Sequence, residues 1–204
     1  MSTLSKDCYM NKQKTIIFGG AFNPPTIAHE DILKECVDYA KQLDADVWVM
    51  PSSSRTDKQI TVSSKRRIKY INAMIQDIDN TSVKIEISEH ELQKQGLIKT
   101  IDTVMEFERM YPDRDFEWVF GLDSTQTMGD WEGGEWLLEN LKTLIVMRPG
   151  SDINPQLRYV REIYVQERDI SSTELRRRIE CGEMFDDLVG EAVGRVLNKN
   201  TSPF

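Results

Sequence analysis

The chain holds no apolar run approaching the roughly 20 residues that cross a bilayer, so no membrane span is expected. Its opening residues, MSTLSKDCYMNK, lack both the apolar core and the small-residue cleavage site of a secretory leader, and residues 1–13 read as a loose lead-in. Cysteine is scarce. Cys8, Cys36 and Cys181 are odd in number and far apart, which suits neither a disulfide framework nor a zinc site, so inert thiols in a reducing cytoplasm are expected. Basic charge is in deficit, 26 Lys and Arg against 34 Asp and Glu for a net charge of −8. A nucleic acid, whose backbone wants a basic face, is therefore not expected as a partner, and an anionic ligand must find locally clustered cations. Histidine is rarer still, at His29 and His90 alone.

What is present is ordinary in bulk: 39% hydrophobic and 29% charged residues over 204 positions fit one globular domain with a full core. Apolar, β-branched stretches KTIIFGG, ADVWVMP, SVKIEIS, FEWVFG, LKTLIVM and EIYVQ predict buried strands. Between them, helical spacing predicts helices over Ile27 to Leu43, Ser64 to Ile78, Thr100 to Tyr111, Glu135 to Leu138, Thr173 to Cys181 and Met184 to Leu197. Strand and helix alternate, which implies a doubly wound α/β domain with a mostly parallel sheet and right-handed crossovers. RPGSDINPQ reads as a longer loop and residues 198–204 as a tail.

Two stretches stand out on that frame. GGAFNPPTIAH lies where the first strand hands over to the first helix, at the carboxyl edge of the sheet, where open α/β sheets bind ligands. Glycine admits a phosphate close to the backbone, a helix amino terminus offers unpaired N–H groups, Thr26 is placed to cap and His29 falls in the first turn. The same residues would also make a plain Gly-Gly turn before a proline-led helix. RDISSTELRRRIECG, near the other end, sets hydroxyls at a helix start and arginines behind them, which suits phosphate oxygens or a capped helix with a basic solvated face.

Taken together, GGAFNPPTIAH and ISSTELR resemble the two signatures of the nucleotidyltransferase superfamily, G-x-F-[DN]-P-x-[HT]-x-G-H and I-S-S-T-x-[IL]-R. Within it, the nicotinate or nicotinamide mononucleotide adenylyltransferases match best. VMPSSSRTDK, SSKRRIKYINAMI, TIDTVMEF, FGLDSTQTMGDW and LIVMRPG agree in order and spacing, so the likeness spans roughly Lys14 to Leu197. It implies a single Rossmann-like nucleotidyltransferase domain over residues 1–204. It also implies adenylyl transfer from ATP to a pyridine mononucleotide in NAD biosynthesis, without a covalent enzyme intermediate and with Mg²⁺ carried on the ATP rather than in a protein cage.

By the same resemblance His29, Thr26 and Arg176 serve catalysis, and Gly19, Gly20, Ala21, Phe22, Gly121, Asp123, Ser171, Ser172 and Thr173 serve ATP. Asn23, Lys58, Arg67, Thr100 and Trp131 fall on the mononucleotide side, and Lys99 there takes the place of a frequent aromatic residue, its charge expected to favour nicotinate over nicotinamide because a carboxylate is the difference between them. Lys65 and Arg66 read as solvated, and His90 as an exposed loop residue. The chain departs from the signature by carrying Thr26-Ile27-Ala28-His29 in place of H-x-G-H. That threonine also occurs in phosphopantetheine adenylyltransferases, which stand as the alternative enzyme; a catalytically weak nucleotide sensor is the alternative of another class. Assembly as a homo-oligomer is left open.

Overall fold

The computed structural model describes residues 12–53, 60–78, 82–94, 96–147, 150 and 152–199. Six strands, β1 (Gln13–Gly20), β2 (Asp46–Pro51), β3 (Ile85–Ile87), β4 (Arg114–Gly121), β5 (Lys142–Met147) and β6 (Tyr159–Tyr164), form one sheet in the order β3-β2-β1-β4-β5-β6, every neighbouring pair parallel. The helices are α1 (Ile27–Leu43), α2 (Ser64–Gln76), α3 (Thr100–Met110), α4 (Leu122–Gln126), α5 (Gly134–Asn140), α6 (Ser172–Cys181) and α7 (Glu191–Asn198). After β1 the chain builds outward through β2 and β3, then returns to the other side of β1 for β4, β5 and β6. The order thus reverses between β1 and β4, and the crevice beyond their carboxyl ends is the switch point of a doubly wound sheet.

Strand alternation splits the core into two layers. Ile16 and Phe18 of β1 face one layer with Leu33, Cys36, Val37 and Ala40 of α1, Tyr70, Ile71 and Met74 of α2, and Ala192, Val193 and Leu197 of α7. Ile17 faces the other, with Trp48, Phe107, Trp118 and Leu137. A strand buried on both faces explains why KTIIFGG reads as a continuous apolar run. No helix of the described residues is long and apolar enough to cross a membrane. Cys36 is buried and Cys181 exposed, both free, and burial pushes the Cys36 thiol well above its ordinary range; Cys8 lies outside the described residues.

Most element bounds lie within two residues of the sequence expectation, and the larger departures include three elements. The helix expected over Met184 to Leu197 is a single 3₁₀ turn at Asp186–Leu188 followed by α7, and Met184 is exposed. The break falls at Gly190, where a Cβ would stand 1.8 Å from Glu30 Oε2, so only glycine lets the chain pass over the first turn of α1. Asp77 Oδ2 then accepts the Ala192 N–H at 2.8 Å and satisfies one free donor of the new helix. The short helix α4 begins directly after β4, too brief for its spacing to register in the sequence. Strand β6 runs Tyr159–Tyr164 and so starts earlier than EIYVQ suggests, its outer edge carrying charged residues that do not read as strand.

Candidate active site

The loop from Ala21 to Thr26 leaves β1 in a conformation that three features impose. Phe22 takes a left-handed φ of 45° and folds its ring, fully buried, against Phe18 and over Gly20, where an added Cβ would meet that ring at 3.1 Å. The Asn23–Pro24 peptide is cis. Asn23 Oδ1 accepts the Val62 N–H at 2.8 Å, anchoring the loop to the segment before α2. Gly19, Gly20 and Ala21 are left as a bare, partly exposed ledge, while Phe22 and Asn23 are buried supports beneath it. The expectation that Asn23 faces the mononucleotide meets a side chain turned into the loop.

At the end of the ledge α1 begins. Thr26 is its N-cap, and the Thr26 N–H donates to His29 Nδ1 at 3.2 Å while Thr26 Oγ1 lies 2.9 Å from the same nitrogen. A backbone N–H can only donate, so Nδ1 carries the lone pair and the ring proton sits on Nε2. The imidazole is therefore fixed as an Nε2–H donor, steadied by Phe22 at 5.3 Å. Thr26 is 2% exposed. Its hydroxyl lies against His29, where the sequence reading expects a donor to phosphate. Ala28 is helical and sits where a glycine's freedom is not required.

The second signature arrives from the far end of the chain. Ser171 caps α6, accepting the Glu174 N–H at 3.1 Å; Ser172 Oγ donates to the Pro24 carbonyl at 2.8 Å; Arg176 donates to the Asn23 carbonyl at 2.6 Å and to Thr173 Oγ1 at 3.1 Å. His29 and Arg176 thus converge on one loop. The neighbouring arginines point elsewhere. Arg177 grips Glu174 and Glu183, and Arg178 grips Glu174 and Asp187, so Arg177 and then Arg178 hold the Glu174 carboxyl down at about 2. Among the three consecutive arginines, Arg176 is the one turned to the ledge.

Across the switch point, Phe18 pairs with Val119, which brings Gly121 level with Gly20. Gly121 is exposed with open space where a Cβ would be, and Asp123 is exposed in the first turn of α4. Trp131 packs half-buried against Phe120 at 6.0 Å. Lys99, at the start of α3, forms an ion pair with Glu132, and Ile101 lies directly under Gly133. Lys99, Thr100 and Trp131 are therefore gathered where α3 meets the turn before α5. Lys58 lies outside the described residues.

Arg67 is placed differently from expectation. It is 1% exposed on α2, with NH1 donating to the carbonyls of Ala21 at 2.9 Å and Ser52 at 2.7 Å. It underlies the ledge and presents no guanidinium to a ligand. His90 is also corrected: its side chain is 15% exposed, its Nε2 lies 2.7 Å from Glu106, and its ring packs on Phe107. Sequence reasoning passed over Glu30, whose Oε2 is buried without a partner beside Asp77. Burial first, then Asp77 and Asp31, raise its carboxyl to about 7. Its signal was a charged residue directly after His29 on a helix face that should be apolar.

A model of the cytidylyltransferase-like family matches residues 17–178. A probable nicotinate-nucleotide adenylyltransferase of Exiguobacterium sibiricum is 32% identical over 185 residues, 90% of this chain and 95% of the relative. One of Clostridium acetobutylicum is 29% identical, covering 92% of this chain and 98% of the relative. The fold matches that of the Plasmodium falciparum nicotinic acid mononucleotide adenylyltransferase complexed with NaAD, with a TM-score of 0.74 at 20% identity over 92% of this chain and 95% of that one. With the ledge, the histidine and both signatures placed on one sheet edge, the chain belongs to the cytidylyltransferase-like family, among its nicotinate-nucleotide adenylyltransferases.

Proposed function

We propose that this protein transfers the adenylyl group of ATP to nicotinate mononucleotide, giving the dinucleotide and pyrophosphate in NAD biosynthesis. A phosphate oxygen of the mononucleotide attacks the α-phosphorus; the new O–P bond forms as the bond to the β-phosphate oxygen breaks, and pyrophosphate leaves with that electron pair. Such a reaction asks for positioning and charge stabilisation and needs no enzyme nucleophile. His29, fixed as an Nε2–H donor, would meet the α-phosphate as charge builds there. The bare ledge of Gly19, Gly20 and Ala21 and the free N–H groups at the start of α6 would take the triphosphate, with Arg176 beside them. Gly121 and Asp123 would flank the nucleotides, and Lys99, Thr100 and Trp131 the pyridine ring, where a planar indole suits stacking.

Magnesium would enter on the triphosphate and supply charge neutralisation. Mg²⁺ commonly keeps several waters and takes few protein ligands, so it would be held chiefly by phosphate oxygens and water.

The observation that carries this reading is the convergence of His29 and Arg176 on one loop from opposite ends of the chain. A pyrophosphate-release assay with ATP and each acceptor tests it: turnover with nicotinate mononucleotide is expected, and a response to phosphopantetheine alone, or ATP binding without turnover, overturns it. Replacing His29 by Ala should lower kcat by about 10²–10³-fold with ATP affinity nearly unchanged; equal losses in both would remove His29 from the chemical step.

A further inference from the structure

Among the described residues, an unpaired charge lies beneath the ledge. Arg67 is a cation in the protein interior with no ion-pair partner among the described residues, and burial alone depresses its basicity. Its Nε is buried and makes no hydrogen bond, and the hydroxyls of Ser52 and Ser53 beside it are in the same condition. An interior charge of this kind is costly unless something offsets it. The Arg67 NH1 reaches two carbonyls, one from the loop after β1 and one from the loop after β2.

The consequence lies in the peptide that Arg67 grips. In a trans peptide the carbonyl and the N–H point in opposite directions. With the Ala21 oxygen drawn onto the guanidinium, the Phe22 N–H is aimed away from it. Ser52 is gripped likewise, and its own N–H donates to the Gly20 carbonyl at 2.9 Å, so the two loops move as one piece.

We infer that Arg67 is a positioning residue of the adenylyl-transfer site: it fixes the Ala21–Phe22 peptide with its N–H directed outward and holds an uncompensated positive charge behind the ledge, so that a bound triphosphate or pyrophosphate completes the charge balance. This rests on the reading that the ledge receives ATP. It also accounts for an acidic protein attracting a polyanion, since the attracting charge is built into the interior, where solvent and salt screen it less than surface lysines. Arg67 touches no substrate and acts through backbone.

Two variants separate charge from hydrogen bonding. R67K keeps the charge; R67Q keeps donor hydrogens and loses the charge. Pyrophosphate, ATP and adenosine are each titrated calorimetrically into the full chain, with thermal melts confirming that each variant is folded. R67K is expected to bind pyrophosphate and ATP within about threefold of the parent, and R67Q to bind both about tenfold or more weakly while its adenosine affinity is unchanged. R67Q weakening adenosine as much as pyrophosphate, or weakening neither, overturns the inference. Where R67Q fails to fold, a folded R67K that has lost pyrophosphate affinity overturns it instead. Failure of the functional reading is seen separately, as a parent protein that binds pyrophosphate but releases none from ATP and nicotinate mononucleotide.

Discussion

At the scale of single residues, the site depends on how its reacting side chains are held. Thr26 shows this most directly: buried, at the N-cap of α1, with both its N–H and its hydroxyl trained on His29 Nδ1. Removing the hydroxyl leaves the ring with the longer backbone bond alone, so Thr26→Val should lower kcat about tenfold at unchanged ATP affinity, and Thr26→Ser should restore it. Equal rates for the Val variant and the parent, measured at saturating substrates, would show that the hydroxyl does not orient the ring. Lys99 invites a second test. It is half-buried and paired with Glu132, and the hydrogen bond it donates to that carboxylate raises its basicity. Lys99→Ala should narrow discrimination between nicotinate and nicotinamide mononucleotides, read as a ratio of kcat/KM values, because the acid form alone gains from a cation. A ratio that does not move removes Lys99 from acceptor choice.

At the scale of elements, the contact between α1, α2 and α7 carries a pH signature. Glu30 sits in the first turn of α1, with Asp31 and Lys34 on its own helix, Asp77 from the end of α2, Arg168 from the segment before α6, and the amino terminus of α7 above it. Its carboxyl titrates near 4.5 when unfolded and near 7 when folded, raised chiefly by burial and then by Asp77. Between those values the folded chain holds the extra proton, so stability falls as pH rises through that window and the loss is complete above about pH 7. For a partly exposed group the screened effect is roughly 1 kcal/mol, worth about 2–4 °C in Tm. Glu30→Gln should therefore melt higher than the parent at pH 8 and lose that advantage at pH 4.5; a constant offset at both pH values would refute the assignment. The elements themselves were legible wherever periodicity was long. Ile27 to Leu43 is α1 to the residue, because its apolar stripe and its Thr26 cap agree. The start of α7 was not, because Gly190 is dictated by a carboxylate far away in sequence.

At the scale of the whole molecule, signatures at the two ends of the polypeptide become one structure. Their convergence was legible because both motifs resemble a known pair. The division of labour inside them was not: short motifs name residues without saying which side chains face inward, and burial turned Thr26, Asn23 and Arg67 from expected ligand contacts into supports. The hydrogen bonds from Ser172 and Arg176 to the carbonyls of Pro24 and Asn23 tie α6 to the β1–α1 loop. Loss of ATP binding and loss of fold should accordingly be one event. Trp48 and Trp118 lie in the layer under α3, opposite the layer that holds α1 and α6, and their fluorescence reports on the half of the core remote from the first helix. In a urea titration, tryptophan emission and binding of a fluorescent ATP analogue should decay with coincident midpoints. Saturating ATP, at about 100 times its Kd, should add about 2.7 kcal/mol and raise Tm by roughly 5–10 °C. In Arg176→Ala the rise measured at that same ATP concentration should shrink, since the side chain is lost both as the proposed phosphate contact and as a tie to the loop. Emission that survives to higher urea than nucleotide binding would instead mean that α6 detaches first, and the two signatures would then be joined only by the ligand.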